Sequence, residues 1–315
     1  TFESNKQYII TEDLNLLGAS KIEPDCFINL IPGRNIKFHG SLDTESGYLP
    51  GSYWRISSSF GIDSATPAIV GQGDYMGSVN LLYAESNISH GIVTNTDFGL
   101  SIQAPQVSVT DISISNVNYG IYALQTTFVM QNVNISGASR YGLSVQNTLA
   151  TESISITNCI VAHCEDGLSV SGGTFSISNI FLYDCYAAFR PWENTGTIEH
   201  CDFDLCYYDI YQYRASCTIL YNNFFYNKKL GIFPRNYGLV NYNNFYYTAL
   251  SYIDIRGLSL SQDLDAKNNY WAVSNLDQYL FDALDNDEFP DEPPCNRYII
   301  YLPKRNSRVI TAGIQ

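Results

Sequence analysis

The chain has 315 residues, a net charge of −14, and only 15% charged against 14% aromatic residues. That length is ample for a buried core, and low charge with many small polar and β-branched residues favours an all-β protein over a helical one. The acidic balance, with no basic run, argues against a nucleic-acid partner, and no stretch of about 18 apolar residues is present to span a membrane.

In chain order, residues 1–50 precede the regular pattern and are assigned to N-terminal entry strands and a cap. Residues 51–272 carry a repeat. Gly99, Gly120, Gly142, Gly167 and Gly231 each open an alternating strand, as in "GIYAL" and "GLSVQ". Ala188, Asp209 and Tyr252 fall in the same column, which recurs every 21–25 residues. The next residue is always apolar: Leu100, Ile121, Leu143, Leu168, Phe189, Ile210, Ile232 and Ile253. Ile102, Ala123, Val145 and Val170 follow two places on, so by strand alternation both columns face inward. A second column, nine or ten residues before the first, reads His90, Asp111, Asn132, Asn158, Asn179, His200, Asn222 and Asn243. It predicts a ladder of side chains bonding to one another along an axis, and it makes the two "YNNF" copies at Tyr221 and Tyr242 successive turns of one coil.

A period of this length, with strands and no helical segment between them, indicates a solenoid. The leucine-rich signature is missing, and a parallel β-helix with turns stacked about 4.8 Å apart fits the columns. Residues 273–315 then form a C-terminal cap, needed because an open coil exposes strand edges. Ser274 is the expected N-cap of a short helix carrying Leu276, Tyr279, Leu280, Ala283 and Leu284 at helical spacing. "RYIIYLP" (Arg297–Pro303) is expected to return as a terminal strand, and the acidic "DNDEFPDE" lacks the glycine and spacing of a calcium loop. Entry, coils and cap are expected to make one structural domain.

These columns resemble the right-handed parallel β-helix repeat proteins, the pectate-lyase-like superfold that also includes many bacterial surface proteins. Lys6–Gly40 is similar to the entry segment of secreted β-helix proteins of gut Bacteroidetes. "KNNYWA" from Lys267 is similar to the "NNYWG" segment that closes many such coils, with Ala272 in place of the glycine. The resemblance implies a single right-handed coil and a secreted or cell-surface location; no signal peptide is visible in the chain. It is nearly silent on activity, because the superfold hosts lyases, hydrolases, epimerases, tailspikes and passive modules.

Eight cysteines suggest disulfides, yet Cys164, Cys185 and Cys206 are 21 apart in one column, and Cys159 and Cys201 share another. Stacked side chains sit about 4.8 Å apart, wider than the roughly 3.8 Å between Cβ atoms of a disulfide. They are expected to be reduced, buried fillers. No CxxC exists and a ladder is not a tetrahedron, so no metal is expected.

Nucleophile-elbow, HExxH, phosphate-loop and dinucleotide motifs are all missing, as are the polygalacturonase-type signatures. Strand alternation gives a lead instead. Positions two and four after the glycine column must face outward, and in early turns they are bland: Ser101 and Gln103, Ser144 and Gln146. Four later turns carry Arg190 and Trp192, Tyr211 and Tyr213, Phe233 and Arg235, Asp254 and Arg256, with Glu193 and Arg214 adjoining. Contiguous exposed aromatics mark contact surfaces; flat rings stack on sugars, and arginine or carboxylate groups bond hydroxyls or uronates. The alternatives are a satellite core beneath the C-terminal segment or a loop, and an oligomer contact.

The expected function is an extracellular or cell-surface module contacting a polysaccharide along this face, as a monomer or homotrimer. One alternative is a lyase or glycoside hydrolase acting on a uronate-containing glycan, with Glu193, Asp209, Asp254, Arg190 or Arg235 as catalytic candidates. Only the lyase form would call for a cofactor, Ca²⁺, and no motif supports it. The other alternative is a non-catalytic adhesin or tailspike-like shaft.

Overall fold

The computed structural model describes residues 1–17, 19–23, 26–30, 36–38, 42–43, 54–58, 79–82, 86–147, 151–233, 238–247, 251–254, 263–273, 275–282 and 297–314. They divide into two compact units, Thr1–Gln146 and Asn147–Gln315. No helix among the described residues is long and apolar enough to cross a membrane.

In the first unit, strand Gln7–Ile10 pairs in parallel with Phe27–Leu30, and that with Trp54–Ser58. Leu14–Leu16, Ile36–Phe38 and Val79–Leu82 stack likewise. Two long strands, Gln106–Leu124 and Asn134–Gln146, then run on through corners of the coil. Leu100, Ile121 and Leu143 lie in register on successive turns, and none is more than 1% exposed.

The second unit is a three-sided parallel solenoid. Its first sheet contains Asp166–Ser171, Ala187–Trp192, Tyr208–Tyr211, Leu230–Phe233, Ser251–Asp254 and Leu280–Phe281, each paired with the next. The second begins with the first halves of Ser153–Ala162 and Thr174–Tyr183 and continues through Thr195–Glu199, Ser216–Leu220, Leu239–Asn241, Leu264–Asp265 and Ile299–Ile300. The third takes the second halves of those two strands, then Asp202–Asp204, Asn223–Phe225, Asn244–Phe245 and Tyr270–Trp271.

Each sheet sends apolar columns inward, and one on each side runs through successive turns. Leu168, Phe189, Ile210, Ile232 and Ile253 fill the first side, as their spacing predicts, and all are at most 1% exposed. Ile156, Ile177, Ile198, Ile219 and Val240 fill the second. On the third, Phe203, Phe224, Phe245 and Trp271 form a ring stack with centroids 4.9, 4.7 and 4.3 Å apart. Burying each such side chain contributes about 1.5–3 kcal/mol over leaving it in water.

The corners correct the single asparagine column. Asn158, Asn179, His200, Tyr221, Tyr242 and Asn268 are left-handed residues with φ of 54–58°, a conformation that Asn and His tolerate better than most. His200 stacks on Tyr221 and Tyr221 on Tyr242, both at 5.4 Å. Asn222 and Asn243 belong one place later, in an inward column with Cys159, Ile180, Cys201 and Asn269. There Asn243 accepts at Oδ1 from the Asn222 backbone and amide at 2.9 and 3.1 Å, and Asn269 Oδ1 does the same for Asn243 at 2.8 and 3.2 Å. The displacement has a cause: the turn lengthens by one residue at the corner between Phe225 and Leu230, so counting nine back from Gly231 falls one place short of the corner. "YNNF" therefore encodes a left-handed corner, an inward amide, an outward amide and a core ring. "NNYW" at Asn268–Trp271 occupies the same four places.

Cysteine and asparagine share the inward column because both cap a corner carbonyl. The Cys201 thiol donates to the carbonyl of Glu199 at 3.3 Å, and the Asn243 amide to that of Asn241 at 3.0 Å. The seven described cysteines are all free and buried; Cys295 lies outside the described residues.

The cap differs from expectation. A 3₁₀ turn, Leu276–Gln278, follows Asn275 without a side-chain cap, and Leu280–Phe281 is a strand paired with Ile253–Asp254. Leu276 and Leu280 are buried as their spacing requires, but Leu280 continues the Leu168–Ile253 column, and backbone pairing to the last coil outcompetes a helix. Ser274, Ala283 and Leu284 lie outside the described residues.

Candidate functional site

Within the first sheet of the second unit, the strand Ala187–Trp192 buries Phe189 and Pro191 and turns Arg190 and Trp192 outward. Tyr211 and Tyr213 follow one turn later. Trp192 and Tyr213 form an isolated parallel bridge, so their side chains leave the same side of the coil. The indole and phenol rings stack with centroids 3.9 Å apart and 29° between planes. Trp192 is 43% exposed and the neighbouring Tyr186 48%; the described C-terminal segment does not cover them.

Tyr186, Arg190, Trp192, Tyr208, Tyr211 and Tyr213 line one surface hollow of about 260 Å³. The Arg190 guanidinium lies 5.7 Å from the Tyr211 ring centre, within cation–π range. Its Nη1 also sits 3.0 Å from Asp166 Oδ2, a carboxyl only 4% exposed. Arg190 Nε and Asp166 Oδ1 are buried and have no hydrogen-bond partner. Burial pushes the Asp166 carboxyl up to about 6, against the lowering pull of Arg190, with Glu165 and Cys185 adding to the rise.

A tyrosine cluster extends the hollow. Tyr186 stacks on Tyr207 at 5.1 Å and meets Tyr208 edge-on at 5.4 Å. Lys229 Nζ donates to the Tyr208 hydroxyl at 3.1 Å and lies 5.4 Å from the Tyr207 and Tyr208 ring centres. That hydrogen bond holds the Lys229 ammonium above its ordinary pKa.

The sequence-predicted residues therefore separate. Arg190, Trp192, Tyr211 and Tyr213 come together in the hollow. Glu193 sits at its rim on a left-handed corner, φ 50°, and accepts from Arg214 NH1 at 3.0 Å; Arg214 also covers the Tyr213 ring at 5.5 Å. Asp209 is not in the hollow: it is fully buried, accepts from Asn227 Nδ2 at 3.0 Å, and is held by burial well above the carboxylate range. Asp254, expected to face outward, is 8% exposed, and the closing strand Leu280–Phe281 runs alongside it. Phe233 ends the strand Leu230–Phe233; Arg235 and Arg256 lie outside the described residues.

Asp166, Tyr186, Tyr207 and Tyr208 were not expected. The tyrosines stand at and just past the corner before the strand, where alternation counted from the glycine column does not reach; the 21-residue step from Tyr186 to Tyr207 was the available signal. The first unit has its own aromatic column at the place in the repeat that Tyr208 occupies, Phe98–Tyr119–Tyr141, stacked at 4.6 and 5.7 Å. Its outer surface is therefore less bland than Ser101 and Gln103 suggest. Among the described residues, no group of three or more His, Cys, Asp or Glu side chains is placed to hold a metal ion.

Residues 125–263 match the family model described as "Right handed beta helix region". This stretch is a right-handed β-helix. A search of curated proteins finds no match to the chain. Among solved structures, the β-helix is similar to a tailspike protein of an Acinetobacter baumannii bacteriophage, described as a capsular polysaccharide depolymerase. The two are 10% identical with a TM-score of 0.37, over 98% of this chain and 64% of that one. The chain thus spans under two thirds of that protein's length, and at this similarity no activity is carried across.

Proposed function

We propose that the chain is an extracellular or cell-surface β-helix protein that contacts a polysaccharide through the hollow around Trp192. The observation that carries this reading is the Trp192–Tyr213 stack, half-exposed beside an arginine and three further tyrosines. Rings held at fixed spacing on a rigid sheet offer apolar faces to sugar rings at little entropic cost. The arginine and phenol groups supply hydroxyl and carboxylate partners.

Binding stands ahead of cleavage because the candidate carboxylates do not converge on the hollow. Asp209 and Asp254 are buried, and Glu193 is engaged by Arg214. A glycosidase needs two carboxyl groups flanking the bond to be broken. The test is affinity electrophoresis against a panel of neutral and acidic polysaccharides, with reducing-end release and ultraviolet absorbance of unsaturated product followed in the same samples. Retention by some polymer without product is the expected result. Trp192→Ala should abolish the retention; retention that survives it would overturn the placement of the site.

A further inference from the structure

We propose that Asp166 and a carboxylate of the bound glycan compete for the Arg190 guanidinium, so that the hollow takes acidic sugars and takes them more tightly in mildly acidic solution. This rests on the glycan reading above and names its substrate class and its regulation.

Arg190 is the guanidinium that lines the hollow, and its hold on the protein is loose. The pair with Asp166 is a single 3.0 Å approach through Nη1, not the two-pronged contact that makes arginine–carboxylate pairs strong. Its Nε is buried and unpartnered, as is the second Asp166 oxygen. With one donor unused and 31% of its side chain exposed beside an aromatic wall, Arg190 is suited to a planar anion that enters along that wall. A sugar carboxylate meets this geometry, because the ring that carries it can lie on Trp192 and Tyr213 while its oxygens reach the guanidinium.

Asp166 decides how much of the positive charge reaches the hollow. When ionised it neutralises Arg190 from below; when protonated it leaves the guanidinium charge to the ligand. Its surroundings favour the proton: burial dominates, Glu165 and Cys185 add to it, and Arg190 opposes. The aromatic wall beside Arg190 is the Tyr211 ring, 5.7 Å away. A sugar carboxylate, with an ordinary pKa near 3.5, stays ionised while Asp166 takes up its proton. Falling pH therefore raises affinity for the acidic polymer and leaves affinity for a neutral one unchanged.

The test uses the full chain with polygalacturonate and with the same polymer after reduction of its carboxyl groups to alcohols. Binding is measured by calorimetry at about pH 5 and about pH 7.5, where a competition worth one pKa unit gives roughly a tenfold change. The expected result is that polygalacturonate binds about tenfold more tightly at the lower pH, that Asp166→Asn binds tightly at both, and that Arg190→Gln loses the preference for the acidic polymer while Arg190→Lys keeps part of it. A pH effect that persists in Asp166→Asn overturns the competition, since it then arises from the general acidity of the chain. Equal binding of the reduced polymer also overturns the inference and leaves the glycan reading standing. Failure of both polymers overturns it too, and the glycan reading falls only if the wider polysaccharide panel fails as well.

Discussion

Two sides of the second unit's coil are built from the same repeat and end in opposite states. On the third sheet, the outward column Asp202–Asn223–Asn244 satisfies itself: Asn223 Nδ2 donates to Asp202 Oδ1 and Asn244 Nδ2 to Asn223 Oδ1, both at 2.8 Å. The C-terminal segment completes it. Val309 N donates to Asn244 Oδ1 at 2.7 Å, His200 Nδ1 donates to the Thr311 carbonyl at 2.8 Å, and Gly313 N donates to the Tyr221 carbonyl at 2.6 Å. On the first sheet, Trp192 and Tyr186 stand open, while Arg190 and Asp166 keep unpartnered atoms. Polar groups left unpaired in a native fold call for an explanation. A closed column serves stability, and an open one beside exposed rings is where a ligand adds most.

That contrast makes separable predictions. The largest effect belongs to the inward ladder behind the closed side. Asn243→Ala removes the acceptor for Asn222 and the donor to the Ile219 and Asn241 carbonyls. At about 1–3 kcal/mol for each buried group left unpaired, the loss should reach about 3–5 kcal/mol in denaturant unfolding, with glycan affinity of the folded fraction unchanged. If affinity fell in step with stability, the two sides would not be independent. Trp192→Ala should reverse the pattern, costing about 1 kcal/mol of stability while glycan retention is lost.

Asp166 sets the next effect, on stability against pH. Its carboxyl titrates at about 6, above its ordinary value of 3.8. The folded chain therefore binds an extra proton between those values, and its stability falls as pH rises through that window and stays lower above it. The contribution is on the order of 1–3 kcal/mol. Unfolding midpoints measured across this range should lose that part of their slope in Asp166→Asn; an unchanged slope would assign it to other buried acids such as Asp209. The smallest effect is expected at the rim. Arg214 and Glu193 are 68% and 52% exposed, so Arg214→Ala should change stability by less than about 1 kcal/mol.

The sequence reveals the coil more fully than the site because the two depend on different distances along the chain. Leu168, Phe189 and Ile210 share one environment turn after turn, so spacing alone exposes them. The register of Asn222 differs from its spacing by one place because an extra corner residue leaves the strands in register while shifting any count that crosses the corner. The cap differs from its spacing because Leu276 and Leu280 satisfy a helix and a final strand equally well. In the site, Trp192 and Tyr213 are visible by alternation. Asp166 is not, since its character comes from burial and from an arginine 24 residues later. Asp209 shows the reverse: an acid in a column mostly of glycines looks available in sequence and is sealed inside.

The left-handed corners carry a consequence for how such a chain can change. Extra residues enter at a bend, as between Phe225 and Leu230, and the ring stack from Phe203 to Trp271 continues undisturbed. Height along the axis is thus held constant while the perimeter is free to grow. Loops of new chemistry can be added around the rim of the Trp192 hollow without retuning the interior that supports it.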